Sequence, residues 1–307
     1  MLLKANDCSE NEVTLIHHAA HCGPDVPPGS LTALKHCLQA GAAVIEIDII
    51  SIADGNFALL HDQNLAELTD ASGLASQKRR AELEDLSYVL KGQKTGEKIG
   101  FLEEALSLLE RYPNTRRLQL DLRPFSPLTQ AVLRDFVNLI KPLQNRIQVT
   151  SVADWAIRAL SRFSPELSIG FDPLLYLDIV DDEPRPANIP PFRIGAYDLR
   201  DDHPLSAFQW GPLGEYFAAR AAALLVQAPQ GCEWFIRAEL LKMAIDAGFN
   251  WIDFLHHTGA LVDAWTIDVD QPEQVNLAKF LVEQGVDEIT TDAPARLAAY
   301  LHAETTF

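Results

Sequence analysis

The sequence predicts a (β/α)8 barrel, an α/β fold in which eight parallel strands alternate with helices. Compact β-branched runs recur along the chain, and longer segments with helical spacing follow most of them. About eight such units favour a closed TIM barrel over an open, doubly wound sheet. The length of 307 residues lies within the range that such barrels reach as one domain, so we predict a single domain over residues 1–307.

The candidate elements alternate along most of the chain. The candidate strands are residues 13–17, 44–49, 57–60, 118–122, 147–150, 168–171, 222–226, 262–267 and 288–291. The candidate helices are residues 30–40, 102–112, 127–140, 154–163, 233–247, 272–284 and 293–302. Ser30 is placed to cap the first helix, and Gly41, Gly248 and Gly285 follow three of the helices.

One connection departs from the alternation of strands and helices. Residues 172–214 are rich in proline and acidic side chains, which predicts an elaborated connection with a candidate strand at 193–199. The stretch is too short and too polar to build a core of its own. Residues 250–259 are interpreted as a smaller insertion before the strand at 262–267.

The composition of the chain argues against several classes of protein. The chain has 43 acidic and 25 basic residues, a formal charge of −18, and no basic stripe, which argues against a nucleic-acid partner. The first apolar run, residues 13–16, is too short for a signal peptide or a membrane span, so we expect a cytoplasmic protein without a stable membrane anchor. Four cysteines without a CxxC pair favour reduced thiols.

The most informative segment is residues 44–50, where Glu46 and Asp48 alternate with isoleucines. On a half-exposed strand this pattern would be ordinary, with isoleucines in the core and carboxylates in solvent. In a parallel barrel both strand faces are covered, so the carboxylates would point inside. There they would cost several kcal/mol or take up protons unless a divalent cation neutralised them. Hard oxygen ligands suit Mg²⁺ or Ca²⁺.

Two further segments add polar groups at strand ends. Asp121 and Arg123 share one face of the candidate strand 118–122, and Asp121 is a candidate third ligand, with Arg123 a planar clamp for an anionic oxygen. A local ion pair is the plain alternative. His61 ends the run 57–60 and is a candidate proton shuttle, although a single histidine there is more often a hydrogen-bonded loop residue.

Eight short motifs occur in order along nearly the whole chain. They are E-I-D at 46–48, D-G at 54–55, H-D at 61–62, L-T-D-A-S-G at 68–73, F-L-E-E-A-L at 101–106, L-Q-L-D-L-R at 118–123, W-T-I-D at 265–268 and G-V-D-E-I-T-T-D-A-P at 285–294. Together they resemble the signature of the glycerophosphodiester phosphodiesterase family, a family of TIM barrels. Each motif alone is weak, but their order is specific.

The resemblance implies roles for particular residues. Glu46, Asp48 and Asp121 would bind the metal, Asp121 standing where the family usually has glutamate. His61 matches one of two catalytic histidines, and Arg123 replaces a phosphate-contacting lysine. Trp265 would line the substrate cleft, with a buried core tryptophan as the equally plain alternative.

The start of the chain departs from the family pattern, which opens with H-R-G and then P-E-N-T. Either His18 or His21 matches the first catalytic histidine, and His18 is favoured because it keeps the length of the first strand. On both alignments the family arginine is missing, as are the glutamate and asparagine of P-E-N-T. His21, Lys35 or Arg123 could offset the lost arginine.

The function that this resemblance implies is metal-dependent hydrolysis of glycerophosphodiesters, small molecules that would yield glycerol 3-phosphate and an alcohol. Two alternatives stay open. One is a phosphodiesterase for lysophospholipids or other diesters, with aromatic residues of 249–254 lining an apolar cleft. The other is a barrel that has lost catalysis and binds a phosphate-containing ligand, which the missing arginine motivates.

Overall fold

A computed structural model of the protein describes residues 2–4, 12–123, 127–179 and 211–301. Its centre is a closed barrel of eight parallel strands, which confirms the predicted fold class. The strands are β1 (Glu12–His17), β2 (Val44–Ser51), β3 (Arg117–Leu122), β4 (Ile147–Ser151), β5 (Ser168–Phe171), β6 (Glu233–Arg237), β7 (Val262–Ile267) and β8 (Glu288–Thr291). The ring closes because β1 pairs with β8 on one side and meets β2 on the other.

A helix follows each barrel strand. These helices are α1 (Leu31–Gln39), α2 (Leu102–Arg111), α3 (Gln130–Ile140), α4 (Asp154–Phe163), α5 (Leu213–Gln227), α6 (Ala238–Asp246), α7 (Pro272–Glu283) and α8 (Pro294–Tyr300). The Ser30 side chain accepts a hydrogen bond from the backbone N–H of Ala33 at 3.1 Å, which confirms the predicted cap of α1. No helix within the described ranges has both the length and the apolar character needed to cross a bilayer.

The two faces of β2 separate as the sequence predicted. Ile45, Ile47 and Ile49 are fully buried in the main core between strands and helices. Burying each such side chain stabilises the fold by roughly 1.5–3 kcal/mol relative to leaving it exposed. Because side chains alternate along a strand, Glu46 and Asp48 then point into the barrel.

The lower end of the barrel interior is filled by charged and polar side chains. The Arg117 guanidinium forms a salt bridge with Glu288 and lies 3.5 Å from Glu233, while Gln148 donates to Glu233 at 2.5 Å. Burial and the neighbouring Glu288 hold the pKa of Glu233 well above its usual range. The single charge of Arg117 is thus shared by two carboxyl groups on other strands of the ring, and Glu233 is the one whose ionised form is disfavoured.

A thin apolar layer of Ile16, Val44 and Phe235 lies inside the barrel. Gly170 on β5 makes room for it, since a Cβ atom there would lie 2.5 Å from both the Phe235 ring and the Thr150 methyl group. The apolar layer separates the lower charged network from the upper end of the barrel.

The sixth strand was predicted in the wrong place. Residues 222–226 lie within helix α5, and the predicted helix 233–247 divides into strand β6 and helix α6. A short apolar run fits a buried helix as well as a strand. Glu233 and Arg237 made residues 233–237 look like an exposed helix, but inside the barrel Arg117 neutralises Glu233.

Smaller elements surround the barrel. The candidate strand 57–60 is reduced to Phe57–Ala58, which pairs antiparallel with β2 outside the barrel, and Leu2–Lys4 pairs antiparallel with β1. The remaining elements are the hairpin Ser87–Leu90 and Gln93–Lys98, the helices Leu65–Leu68, Arg80–Leu83 and Trp251–His256, and the 3₁₀ turns His18–Ala20, Ala75–Gln77 and Lys141–Arg146. The insertion predicted at 250–259 therefore contains a helix, and the candidate strand 193–199 lies outside the described residues.

Candidate active site

A cavity of about 320 Å³ opens at the carboxyl ends of the barrel strands. This is the end at which TIM-barrel enzymes carry their active sites. The expected site residues on its wall are His18, Glu46, Asp48, His61, Asp121, Arg123 and Trp265. One cavity therefore brings together seven of the eight residues to which the resemblance gave a catalytic, metal-binding or substrate-binding role.

Three carboxylates form the acidic part of this wall. Asp48 on β2 is in register with Asp121 on β3, and Glu46 lies two residues before Asp48. One oxygen from each residue lies within 4.8 Å of the other two, and the described residues contain no other such group of three potential metal ligands. Oxygens at this spacing can share one divalent cation.

The carboxylates repel one another in a buried setting. Burial, followed by the charge of Asp48, raises the pKa of Glu46 from 4.5 to about 8. Burial raises the pKa of Asp121 to about 6, although Arg123 opposes the rise. The guanidinium of Arg123 lies 3.4 Å from Asp48 and 3.2 Å from Asp121, so it offsets part of the negative charge of the three carboxylates. This donor set and its surplus of negative charge fit a hard divalent cation.

His18 begins the 3₁₀ turn that follows β1, and its Nδ1 atom lies 2.7 Å from Oδ1 of Asp292, just after β8. Burial lowers the pKa of His18, but the Asp292 hydrogen bond and the charges of Glu46 and Asp48 raise it by more, to about 9. The next residue, Ala19, donates its backbone N–H to Glu46 at 2.7 Å. The turn thus fixes both the histidine and one carboxylate.

The other candidate histidines are placed differently. His61 lies on the cavity wall with its Nδ1 atom 3.0 Å from Asp62. His21 is not on this wall, and its Nδ1 atom lies 3.2 Å from the backbone oxygen of Asp292. Of the two candidates for the first catalytic histidine, only His18 therefore lies on the cavity wall. Lys35 is exposed on α1 and also lies outside the cavity wall.

Three more residues of this region were missed as site residues. Asp292 belongs to the motif at 285–294, but that motif does not indicate that its side chain pairs with His18. Arg237 lies on the wall at the end of β6, and the misplaced sixth strand concealed it. Asp172 follows β5, and burial holds its pKa well above its usual range.

Polar atoms of the wall also lack partners. Among the described residues, Gln119 Oε1, Arg123 Nε and Trp265 Nε1 are buried without a hydrogen-bond partner. Buried polar atoms of this kind each cost about 1–3 kcal/mol. The wall therefore has unused hydrogen-bonding capacity for a polar ligand.

The aromatic residues of 249–254 do not line the cavity. Trp251 is fully buried against Trp234, with ring centroids 6.3 Å apart. Phe249 packs on Trp251 and Phe254, and all three belong to the main core or its margin. The apolar cleft that would favour a lysophospholipid is therefore not formed by these side chains.

Residues 22–171 match the profile of the glycerophosphoryl diester phosphodiesterase family. Over these residues, which make up just under half of the chain, the protein is similar to this family as a divergent relative. It is 26% identical over 163 residues to a glycerophosphodiester phosphodiesterase of Caldanaerobacter subterraneus, covering 51% of this chain and 65% of that protein. It is 29% identical over 175 residues to glycerophosphodiester phosphodiesterase GDPD4 of Arabidopsis thaliana, covering 52% of each. The matched part thus spans about half to two thirds of these relatives.

Solved structures of this family share the fold over most of the chain. A phosphodiesterase from Oleispira antarctica, in complex with the product sn-glycerol-3-phosphate, superposes with a TM-score of 0.65 at 21% identity, covering 94% of this chain and 96% of that one. A putative glycerophosphodiester phosphodiesterase from Galdieria sulphuraria has a TM-score of 0.67 at 16% identity, covering 94% and 98%. At these identities the likeness establishes the barrel.

Proposed function

We propose that this protein hydrolyses glycerophosphodiesters in a metal-dependent reaction that releases glycerol 3-phosphate and an alcohol. The observation that carries the proposal is the meeting of Glu46, Asp48 and Asp121 with His18 and His61 around one cavity of a family barrel. The Oleispira antarctica relative holds the product expected of such a reaction. The wall thus carries groups that can bind a cation, transfer a proton and form hydrogen bonds, and this chemistry needs all three.

The three carboxylates would hold the cation, which we propose to be Mg²⁺ or Ca²⁺ because all three ligands are hard oxygens. A cation bound there supplies charge neutralisation for phosphate oxygens and a lowered pKa for a coordinated hydroxyl group. Its binding would also relieve the repulsion that raises the pKa of Glu46.

Proton transfer falls to the histidines. We assign His18 and His61 as the general acid and general base, since both imidazoles lie on the cavity wall. Asp292 holds the His18 ring by its Nδ1 atom, which leaves Nε2 as the atom for proton exchange. Arg123 and Trp265 would contact the substrate from the same wall.

The compartment proposed is the cytoplasm. Cys22, Cys37 and Cys232 are all free thiols, which suits a reducing environment.

The decisive experiment is a product assay. Protein stripped of metal by a chelator is mixed with glycerophosphocholine, with and without added Mg²⁺ or Ca²⁺, and release of glycerol 3-phosphate is followed enzymatically. We expect turnover only with added metal. Unchanged turnover in the chelated sample would refute metal dependence.

A second candidate is a barrel that binds a phosphate-containing ligand without catalysis. The observation that favours it is Ala19, which follows His18 and carries no positive charge at the place of the family arginine. Metal-dependent binding of glycerol 3-phosphate without turnover of any diester would support this candidate over the hydrolase.

A further inference from the structure

Arg237 occupies the inner face of β6 at the carboxyl end of that strand. Glu233, Phe235 and Arg237 alternate along β6, and the first two contact other inward-facing residues. Arg237 therefore points inward as well, above the apolar layer, and it lines the same cavity as the acidic cluster. Its side chain is 23% exposed.

Two contacts fix the direction of its guanidinium. Nε lies 2.8 Å from Oδ1 of Asp178, a carboxylate that is almost wholly buried. The guanidinium carbon lies 5.2 Å from the centroid of the Trp265 ring, and Arg237 and Trp265 are register partners on β6 and β7. An arginine held by a carboxylate and an aromatic face is well ordered for binding an anion.

The charges of the cavity wall define what this arginine can do. Arg123 already lies within 3.4 Å of Asp48 and Asp121, so its charge is engaged by the acidic cluster. Arg237 forms an ion pair with Asp178, a carboxylate that does not belong to the acidic cluster. In the ring of strands, β6 lies opposite β2, which carries Glu46 and Asp48. An anionic group in the cavity would thus face the acidic cluster with its cation on one side and Arg237 on the other.

Ala19 follows His18, at the place where the family pattern has an arginine. Ala19 contributes only a backbone N–H, and that group is bound to Glu46. The turn after β1 therefore supplies no guanidinium to a substrate phosphate. A guanidinium on β6 can meet the same need from another side, because a phosphate presents oxygens in several directions.

We propose that Arg237 binds a non-bridging oxygen of the substrate phosphate and so takes over the role of the missing arginine. This inference rests on the proposed function, since it assigns a phosphate to the cavity. It makes Arg237 a substrate-binding residue, on a strand where the sequence had indicated only a helix.

The first test measures binding of glycerol 3-phosphate by calorimetry in the presence of Ca²⁺. Arg237→Gln should weaken binding by about 10- to 100-fold, the range for a charged hydrogen bond, and Arg237→Lys should fall between that variant and the wild type. Arg296→Gln is the matched control, because Arg296 pairs with the exposed Asp270 and does not line the cavity. Equal affinity of Arg237→Gln and the wild type would overturn the proposal, as would a wild type that does not bind glycerol 3-phosphate.

Removing Arg237 leaves Asp178 buried with one charge fewer beside it, so the single variant could unfold. The double variant Asp178→Asn/Arg237→Gln removes both charges and puts a neutral amide at each position. Thermal unfolding establishes that it is folded, and the same loss of affinity is expected. A folded double variant with wild-type affinity would contradict the proposal.

A second test separates the phosphate from the alcohol. Arg237→Gln should lower kcat/KM equally for glycerophosphocholine and glycerophosphoserine if Arg237 binds the shared phosphate. A loss confined to glycerophosphoserine would place Arg237 on the carboxylate of the alcohol and overturn the proposal. If the wild type hydrolyses neither ester, the proposed function fails, and the binding titration alone decides the role of Arg237.

Discussion

The Nδ1 atom of His18 lies 2.7 Å from Oδ1 of Asp292, and this pair joins the turn after the first barrel strand to the turn after the last. The hydrogen bond from His18 lowers the pKa of Asp292, and it contributes to the raised pKa of His18. Because a hydrogen bond at Nδ1 fixes the tautomer and the ring orientation, Asp292 acts on the site through His18.

Asp292→Asn should lower the pKa of His18 from about 9 toward 6.5 and reduce kcat by about 10- to 100-fold. The pKa is measured by NMR titration of the imidazole, and kcat by product release. Asp270→Asn is the control, since Asp270 pairs with Arg296 on the surface. An unchanged His18 titration in Asp292→Asn would show that the pair has no electrostatic role.

Glu46→Gln should weaken binding of Mg²⁺ or Ca²⁺ by more than about 100-fold, because one of three charged ligands is lost. Without metal, the same change should raise the free energy of unfolding by about 1–3 kcal/mol at pH 7, because Glu46 must take up a proton to be buried there and a glutamine need not. Urea unfolding with and without metal measures both effects. If Glu46→Gln is less stable than the wild type in the presence of chelator, the buried carboxyl of Glu46 does not destabilise the metal-free fold.

Metal affinity should depend on pH in a defined direction. The pKa of Glu46 is raised from 4.5 to about 8, so in the metal-free protein this group holds a proton at pH 6 to 7 and destabilises the fold as pH rises through that range. Metal binding must displace the proton, and affinity should rise about tenfold per pH unit until pH 8. Calorimetry in two buffers with different ionisation enthalpies counts the protons released. Zero release at pH 6.5 would exclude a protonated carboxyl at the site.

Arg117→Met should destabilise the barrel by about 3–5 kcal/mol at neutral pH, because Glu233 and Glu288 would lose their shared cation. Because the pKa of Glu233 is raised, this carboxyl takes up a proton readily as the pH falls. The loss of stability caused by Arg117→Met should therefore be smaller at low pH than at high pH. Urea unfolding at pH 5.5 and pH 8 measures the difference. Arg116→Met, at the exposed neighbouring position, is the control and should cost little. A cost independent of pH would mean that packing, not charge, decides the effect.

Local sequence was sufficient for most of the fold. Seven of the eight barrel strands overlap the predicted runs, because β-branched residues with a period of two identify a covered strand. The sixth strand failed because Glu233 and Arg237 are charged, and only the barrel brings Arg117 and Asp178 close enough to neutralise them. When the ion-pair partner of a charged residue is distant in sequence, the neighbouring sequence does not show that the charged residue can be buried.

By itself, the sequence determined the alternation of strands and helices, the inward carboxylates Glu46 and Asp48, and the motifs that identify the family. The tertiary structure decided which histidine of the first turn faces the cavity, that Asp292 holds it, and that Arg237 lies on the cavity wall. The physical reason is that strand periodicity is a local property, whereas the distance between residues 18 and 292 is set only when the barrel closes.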